Sequence, residues 1–229
     1  MQQGNSSDFN EVWEAAVDRL PELSPDEQRV GLALLGELTQ GEPVSPSRLG
    51  RALGISDQDT ERYLQGSGMS PLVYSNDEGS AVGFFGLSTR PTDHRFIVNG
   101  RTLWTWCAAD TLFLPELVDA TAAVESREPQ TGDPVRLTVS PTAIESATPE
   151  SVMVSMNSPA AWETTSAMRL IVTACHYIHF FTSPESGRRW TDEHPDTVVV
   201  PLDDAFIYAR RQNRRMFGSQ LAGRSSGGA

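Results

Sequence analysis

The sequence predicts an α+β fold, with an N-terminal helical, winged-helix-like module packed on a mixed or antiparallel β core with flanking helices. Three observations predict it. Apolar residues recur at helical spacing through about the first 70 residues. From about residue 90, strand-like runs separated by turn residues take over. A last amphipathic stretch, 202–217, opens on Asp203 and Asp204 and closes among Arg210, Arg211, Arg214 and Arg215, the charge order that a helix dipole favours. The expected organisation is the helical module over residues 1–88, an α+β domain holding both cysteines over 89–218, and a small, polar, disordered tail over 219–229.

Phe9, Val12, Trp13, Ala16, Val17 and Leu20 form one face of a first helix, which Pro21 ends. Ser24-Pro25-Asp26-Glu27 is a strong helix start: an N-cap serine, proline at the first position and acids in the first turn. The second helix runs through Val30, Leu32, Leu34, Leu35 and Leu38 and ends near Gly41. Ser45-Pro46-Ser47 opens a third with Leu49, Ala52 and Leu53, stopped by Gly54, and Ser56-Asp57 caps a fourth that reaches about Gln65. Two short helices joined across residues 49–56 have the pattern of a helix-turn-helix. Val73-Tyr74 and residues 81–87, joined through Asn76-Asp77-Glu78-Gly79, would add the hairpin of a winged helix. The outer helix offers Arg62 but also Asp57, Asp59 and Glu61, a poor face for phosphates, so the segment reads as a packing module rather than a DNA binder.

Further on, Phe96-Ile97-Val98 is a short strand and Asn99-Gly100 a tight turn. Residues 101–114 are apolar and expected to be helical past Trp106, with Pro115 as the stop. Strands are expected at 117–124, 135–139, 152–156 and 170–181, broken by turns such as Gly132-Asp133-Pro134, then a short helix at 190–194 and a strand at 198–200.

The net charge is -12 and all 18 basic residues are arginine, so the chain repels polyphosphate and anionic lipid. No stretch approaches the roughly 20 apolar residues needed to span a bilayer, and residues 1–10 carry no basic or apolar leader pattern. The expectation is a cytoplasmic monomer with no nucleic-acid or membrane partner, whose two cysteines are free thiols.

Chemistry-bearing motifs are few. There is no Gly-rich phosphate loop, HExxH or CxxC. His176 and His179 fall in a strand-like run, where their spacing puts them on opposite faces, so they make a weak zinc site. The pointed feature is Trp106-Cys107-Ala108-Ala109-Asp110: if helical, it sets Cys107 and Asp110 three apart on one face, among Leu103, Trp104, Leu112 and Phe113. An acid buried there holds its proton more tightly. On these residues alone, the pair reads as a commonplace buried cysteine and an exposed acid.

The longer stretch Gly100-Arg101-Thr102-Leu103-Trp104-Thr105-Trp106-Cys107-Ala108-Ala109-Asp110-Thr111-Leu112-Phe113-Leu114-Pro115 closely resembles the signature of the alkylmercury lyases. Asp133-Pro134-Val135-Arg136-Leu137-Thr138-Val139-Ser140-Pro141 is similar to that family's central strand and turn, and Cys175-His176-Tyr177-Ile178-His179-Phe180-Phe181 to its second cysteine segment. Asp204-Ala205-Phe206 and Asn213-Arg214 follow its last helix, so the resemblance spans residues 10–217. It implies that Cys107 and Cys175 bind mercury and that Asp110 is the catalytic carboxylate. It also implies an organomercury substrate, no required cofactor, removal of Hg(II) by external thiols and hand-off to a mercuric reductase. Some relatives carry a further cysteine after the second one; His176 stands there instead. Two other readings are a non-enzymatic mercury or copper sensor or chaperone, in which Asp110 has no purpose, and a winged-helix transcription factor, which the acidic outer helix disfavours.

Overall fold

A computed structural model of the chain describes residues 6–224. Four helices come first: α1 (Ser6–Arg19), α2 (Pro25–Leu38), α3 (Pro46–Leu53) and α4 (Asp57–Gly66). The predicted caps are in place. Ser24 Oγ accepts the Glu27 N–H while the Glu27 carboxylate accepts the Ser24 N–H, and Ser45 and Ser56 accept the N–H groups of Arg48 and Asp59. Each such cap contributes about 1 kcal/mol. The apolar stripe of α2, with Val30, Leu34, Leu35 and Leu38, is fully buried.

The remaining chain is strand-rich, and among the described residues every strand pair is antiparallel. The elements are β1 (Val73–Ser75), β2 (Ala81–Phe84), β3 (Leu87–Ser88), β4 (His94–Val98), β5 (Arg101–Thr105), α5 (Asp110–Val118), β6 (Ala122–Arg127), β7 (Pro134–Val139), β8 (Ile144–Thr148) and β9 (Met153–Asn157). Then follow α6 (Ala167–Thr173), β10 (Phe180–Phe181), α7 (Pro184–Glu193), β11 (Thr197–Pro201) and α8 (Leu202–Arg224). Eight strands form one sheet in the order β1-β2-β3-β5-β4-β6-β7-β8, and three form another in the order β10-β9-β11. The fold is α+β. Asn99 and Gly100 both take positive φ, 51° and 73°, as a tight β4–β5 hairpin demands.

β3 pairs with β5, so the large sheet runs unbroken across residues 88 and 89. One hydrophobic core joins α2, α5, α8 and the sheet. Asn213, fully buried, pins α8 to α5 by donating to the Phe113 carbonyl and the Glu116 carboxylate. Among the described residues no helix is long and apolar enough to cross a membrane.

Several elements differ from expectation. The helix expected past Trp106 begins only at Asp110, after a strand over 101–105 and a turn. Pro115 lies inside α5, which ends instead at Asp119 in the left-handed conformation. Burial of nearly the whole helix offsets the backbone bond that proline forfeits. Consequently 117–124 is a helix end, a turn and β6 rather than one strand. The run 170–181 is not a strand either: Ser166 accepts the Arg169 N–H and starts α6, and a 3-10 turn Cys175–Tyr177 precedes β10. The 81–87 run breaks at Phe85–Gly86 into β2 and β3, and residues 190–194 close a longer helix, α7. Residues 219–224 of the expected disordered tail are helical because Ser219 Oγ bonds Gln28 and Leu221 packs on the core; 225–229 lie outside the described residues.

Candidate active site

Cys107 sits in the turn that carries the chain from β5 into α5, and Asp110 is the first residue of that helix. They are neighbours through the turn, not along one helix face. The Cys107 N–H donates to Asp110 Oδ2 at 2.8 Å, so the carboxylate closes the turn that holds the thiol. Thr105 and Thr111 brace it, their hydroxyls donating to the carbonyls of Cys107 and Ala108. The Trp106 N–H reaches back to the Gly86 carbonyl at 2.8 Å.

Gly86 is a site residue that sequence reasoning missed. It sits with Phe85 in the two-residue link from β2 to β3, both at positive φ. A Cβ on Gly86 would lie 2.5 Å from Asp110 Cγ, so the carboxyl group packs directly on bare backbone. The available signal was a glycine inside the strand-like run 81–87, the second after Gly83, which marks a kink or a close approach.

Cys175 comes from a turn held against the other sheet. It opens the 3-10 turn after α6, and two buried side chains of β9 hold that turn from either side. Asn157 Nδ2 donates to the Thr173 carbonyl at 2.8 Å and its Oδ1 accepts the Trp162 indole N–H. Ser155 Oγ donates to the Tyr177 carbonyl at 2.7 Å and accepts the His179 N–H at 2.9 Å. The Ala108 N–H bonds the Ile178 carbonyl at 3.2 Å, tying the two cysteine segments directly.

The result is a trio: one ligand atom each from Cys107, Asp110 and Cys175, all within 4.8 Å of one another and all on buried residues. Among the described residues it is the only group of three or more that could hold a metal ion. The trio lines a cavity of about 50 Å³ with Trp13, Phe85, Trp106, Phe113, Met156 and Trp162 among its apolar walls. Burial drives the electrostatics. It lifts the Asp110 pKa from 3.8 to about 7, against the hydrogen bonds from Cys107 that favour the carboxylate. Burial, the Cys175 sulfur and the Asp110 charge push the Cys107 thiol well above its usual value. The Cys107 thiol, hydrogen-bonded to Cys175, pulls that sulfur down, but burial and the Asp110 charge outweigh it and its pKa is raised.

None of the four histidines joins the trio. His176 and His179 are not on opposite faces of a strand: the His179 ring bonds the His176 carbonyl across the 3-10 turn. His94 bonds Ser126 and contacts the His179 ring, which meets Trp190, which stacks on His194 at 3.8 Å. Burial, with the neighbouring His179, holds His94 neutral with a pKa of about 3.

Two thiols and a proton-holding acid, enclosed in an apolar cavity, define a soft-metal site equipped for proton transfer. Residues 87–212 match the alkylmercury lyase family, and the chain belongs to that family. Membership makes it an enzyme, a lyase of the carbon–mercury bond. It is 39% identical to the alkylmercury lyase of Pseudomonas putida over 175 residues, 76% of this chain and 78% of that one. It is 36% identical to the alkylmercury lyase of Staphylococcus epidermidis over 183 residues, 80% of each. Its fold is similar to the crystal structure of the mercury-bound form of MerB2, with a TM-score of 0.70 at 24% identity, covering 91% of this chain and 98% of that one.

Proposed function

We propose that the chain cleaves organomercury compounds by protonolysis, with Cys107 and Cys175 holding mercury as thiolates and Asp110 carrying the proton. The observation that carries this reading is the approach of the two sulfurs and the carboxylate to within 4.8 Å in a buried cavity.

The chemistry follows from the groups. Mercury(II) is soft and prefers thiolate, and metal binding deprotonates a thiol that burial would otherwise keep neutral. The first cysteine displaces the ligand that mercury brought in, and its proton leaves with that ligand. The second thiol gives its proton to Asp110 and its sulfur joins the metal. Two thiolates push electron density onto the bound carbon, Asp110 protonates it, and the electron pair of the carbon–mercury bond forms the new C–H bond. The products are a hydrocarbon and mercury(II) on two sulfurs. An acid with a pKa of about 7 can both take and give a proton at neutral pH, which an ordinary aspartate cannot. No cofactor enters the scheme. External thiols or a mercuric reductase would remove the metal by thiol exchange, and the enzyme works as a cytoplasmic monomer.

The test is hydrocarbon release from methylmercury in excess thiol. Cys107→Ser and Cys175→Ser each abolish it, because a hydroxyl is too hard and too weakly acidic. Asp110→Ala captures the substrate and stops, so mass spectrometry finds an intact organomercury adduct. Inorganic mercury on that variant would assign the acid elsewhere, and capture without hydrocarbon by the unaltered chain would make it a soft-metal carrier.

A further inference from the structure

One polar side chain of the cavity has no part in the scheme above. Gln212, on α8, lines the same cavity as the two sulfurs and Asp110 and is nine-tenths buried, with 9% of its surface exposed. Among the described residues no group hydrogen-bonds its amide. Its backbone is held in place, since the adjacent Asn213 is bonded to the Phe113 carbonyl and to Glu116. A polar side chain with no protein partner, on the wall of an otherwise apolar reactive cavity, points to a partner that arrives with the substrate.

The chemistry names that partner. An organomercurial reaches the site carrying a second ligand, in a thiol-rich milieu a thiolate. When the first cysteine attacks, one mercury–sulfur bond forms and another breaks, and negative charge gathers on the departing sulfur until it takes the cysteine's proton. No electron changes hands. In an apolar cavity that charge is poorly solvated. Apart from indoles, Cys107, Asp110, Cys175 and Gln212 are the polar side chains on the wall, and the first three are occupied by metal and proton. The Trp162 indole N–H is already taken by Asn157, and the indole nitrogens of Trp13 and Trp106 are buried away from the open space of the cavity.

We propose that Gln212 is a substrate-binding residue whose amide donates a hydrogen bond to the thiolate ligand leaving mercury. This rests on the cleavage reading above and adds to it which part of the substrate the site recognises besides mercury and carbon.

The experiment presents methylmercury to the full chain on a graded series of thiols, from acidic aromatic to basic aliphatic, and measures kcat/KM for methane release. Gln212→Met keeps the length of the side chain and removes the donor. It lowers kcat/KM about tenfold with aliphatic thiols, the size of a hydrogen bond to a charged group. The loss shrinks steadily as the thiol grows more acidic, because a better leaving group needs less help. Gln212→Glu, which sets a carboxylate against the departing thiolate, loses more than Gln212→Met with every thiol. A loss equal for all thiols assigns Gln212 to packing and overturns the proposal, as does no loss at all. If the unaltered chain releases no methane from any thiol complex, the cleavage reading falls and this proposal with it.

Discussion

The two halves of the site are built by different means. Cys107 and Asp110 share one short turn between β5 and α5, and their approach is settled by local backbone: a 2.8 Å bond from the Cys107 N–H to the carboxylate, and the bare Gly86 against the acid. Cys175 lies on a 3-10 turn that hangs from Ser155 and Asn157 of β9, reached through a helix that exposes Met168 and Val172. The first half is preorganised by a few adjacent residues, the second by tertiary hydrogen bonds from a separate strand. The halves should therefore fail differently when damaged.

The largest effect is expected at Gly86. In Gly86→Ala the new Cβ, in a backbone conformation that side chains avoid, would lie 2.5 Å from Asp110 Cγ, so the acid must shift. Displacements of about 1 Å at a reacting group cost on the order of a hundredfold. Methane release should drop by at least that much while Cys107 still captures mercury. Near-normal turnover in a folded Gly86→Ala would show that the acid does not depend on its local support.

A smaller effect is expected on the other side. Ser155→Ala strips one donor from the Tyr177 carbonyl and one acceptor from the His179 N–H, at a cost of about 1–3 kcal/mol. Turnover should fall about tenfold. The distinguishing readout is alkylation by iodoacetamide: Cys175 should label faster than in the unaltered chain, and Cys107 at an unchanged rate. Ser155→Thr, which keeps the hydroxyl, should recover much of the loss. Equal acceleration at both cysteines would mean the halves loosen as one unit.

The same division explains what the sequence makes legible. Helices α2 to α4 announce themselves through Ser24, Ser45 and Ser56, and the β4–β5 turn through Asn99-Gly100, because capping and positive φ are local demands. The nearness of Cys107 and Asp110 is legible too, although a turn and not a helix face creates it. The environment of Cys175 is not. Ile171, Val172 and Thr173 are β-branched and suggest a strand, whereas the cap at Ser166 and the bonds from β9 make a helix and a turn. Only the family resemblance joins residue 175 to the other two. Gly86 is marked only as a glycine within a strand-like run, and Gln212 by nothing in its neighbours, since both roles come from what folds against them.

The smallest effect is a shift with pH, and it sharpens the comparison most. The competent free enzyme has Asp110 ionised, ready to take a thiol proton, so kcat/KM should be halved near pH 7, where the acid titrates, and fall tenfold per pH unit below that. Stability moves in the opposite sense. A carboxyl group raised from 3.8 to about 7 keeps its proton in the folded chain where the unfolded chain loses it, so stability declines as pH rises from about 4 to 7. Asp110→Asn removes that penalty and should melt a few degrees above the unaltered chain at pH 8, the gap closing as pH falls toward 4. Because the surroundings of the acid are made by its own turn and Gly86, Ser155→Ala should lower the rate without moving the acid limb from about 7. A limb that moves with Ser155 would place the pKa of Asp110 under the control of the Cys175 segment, and the separation of the two halves would be lost.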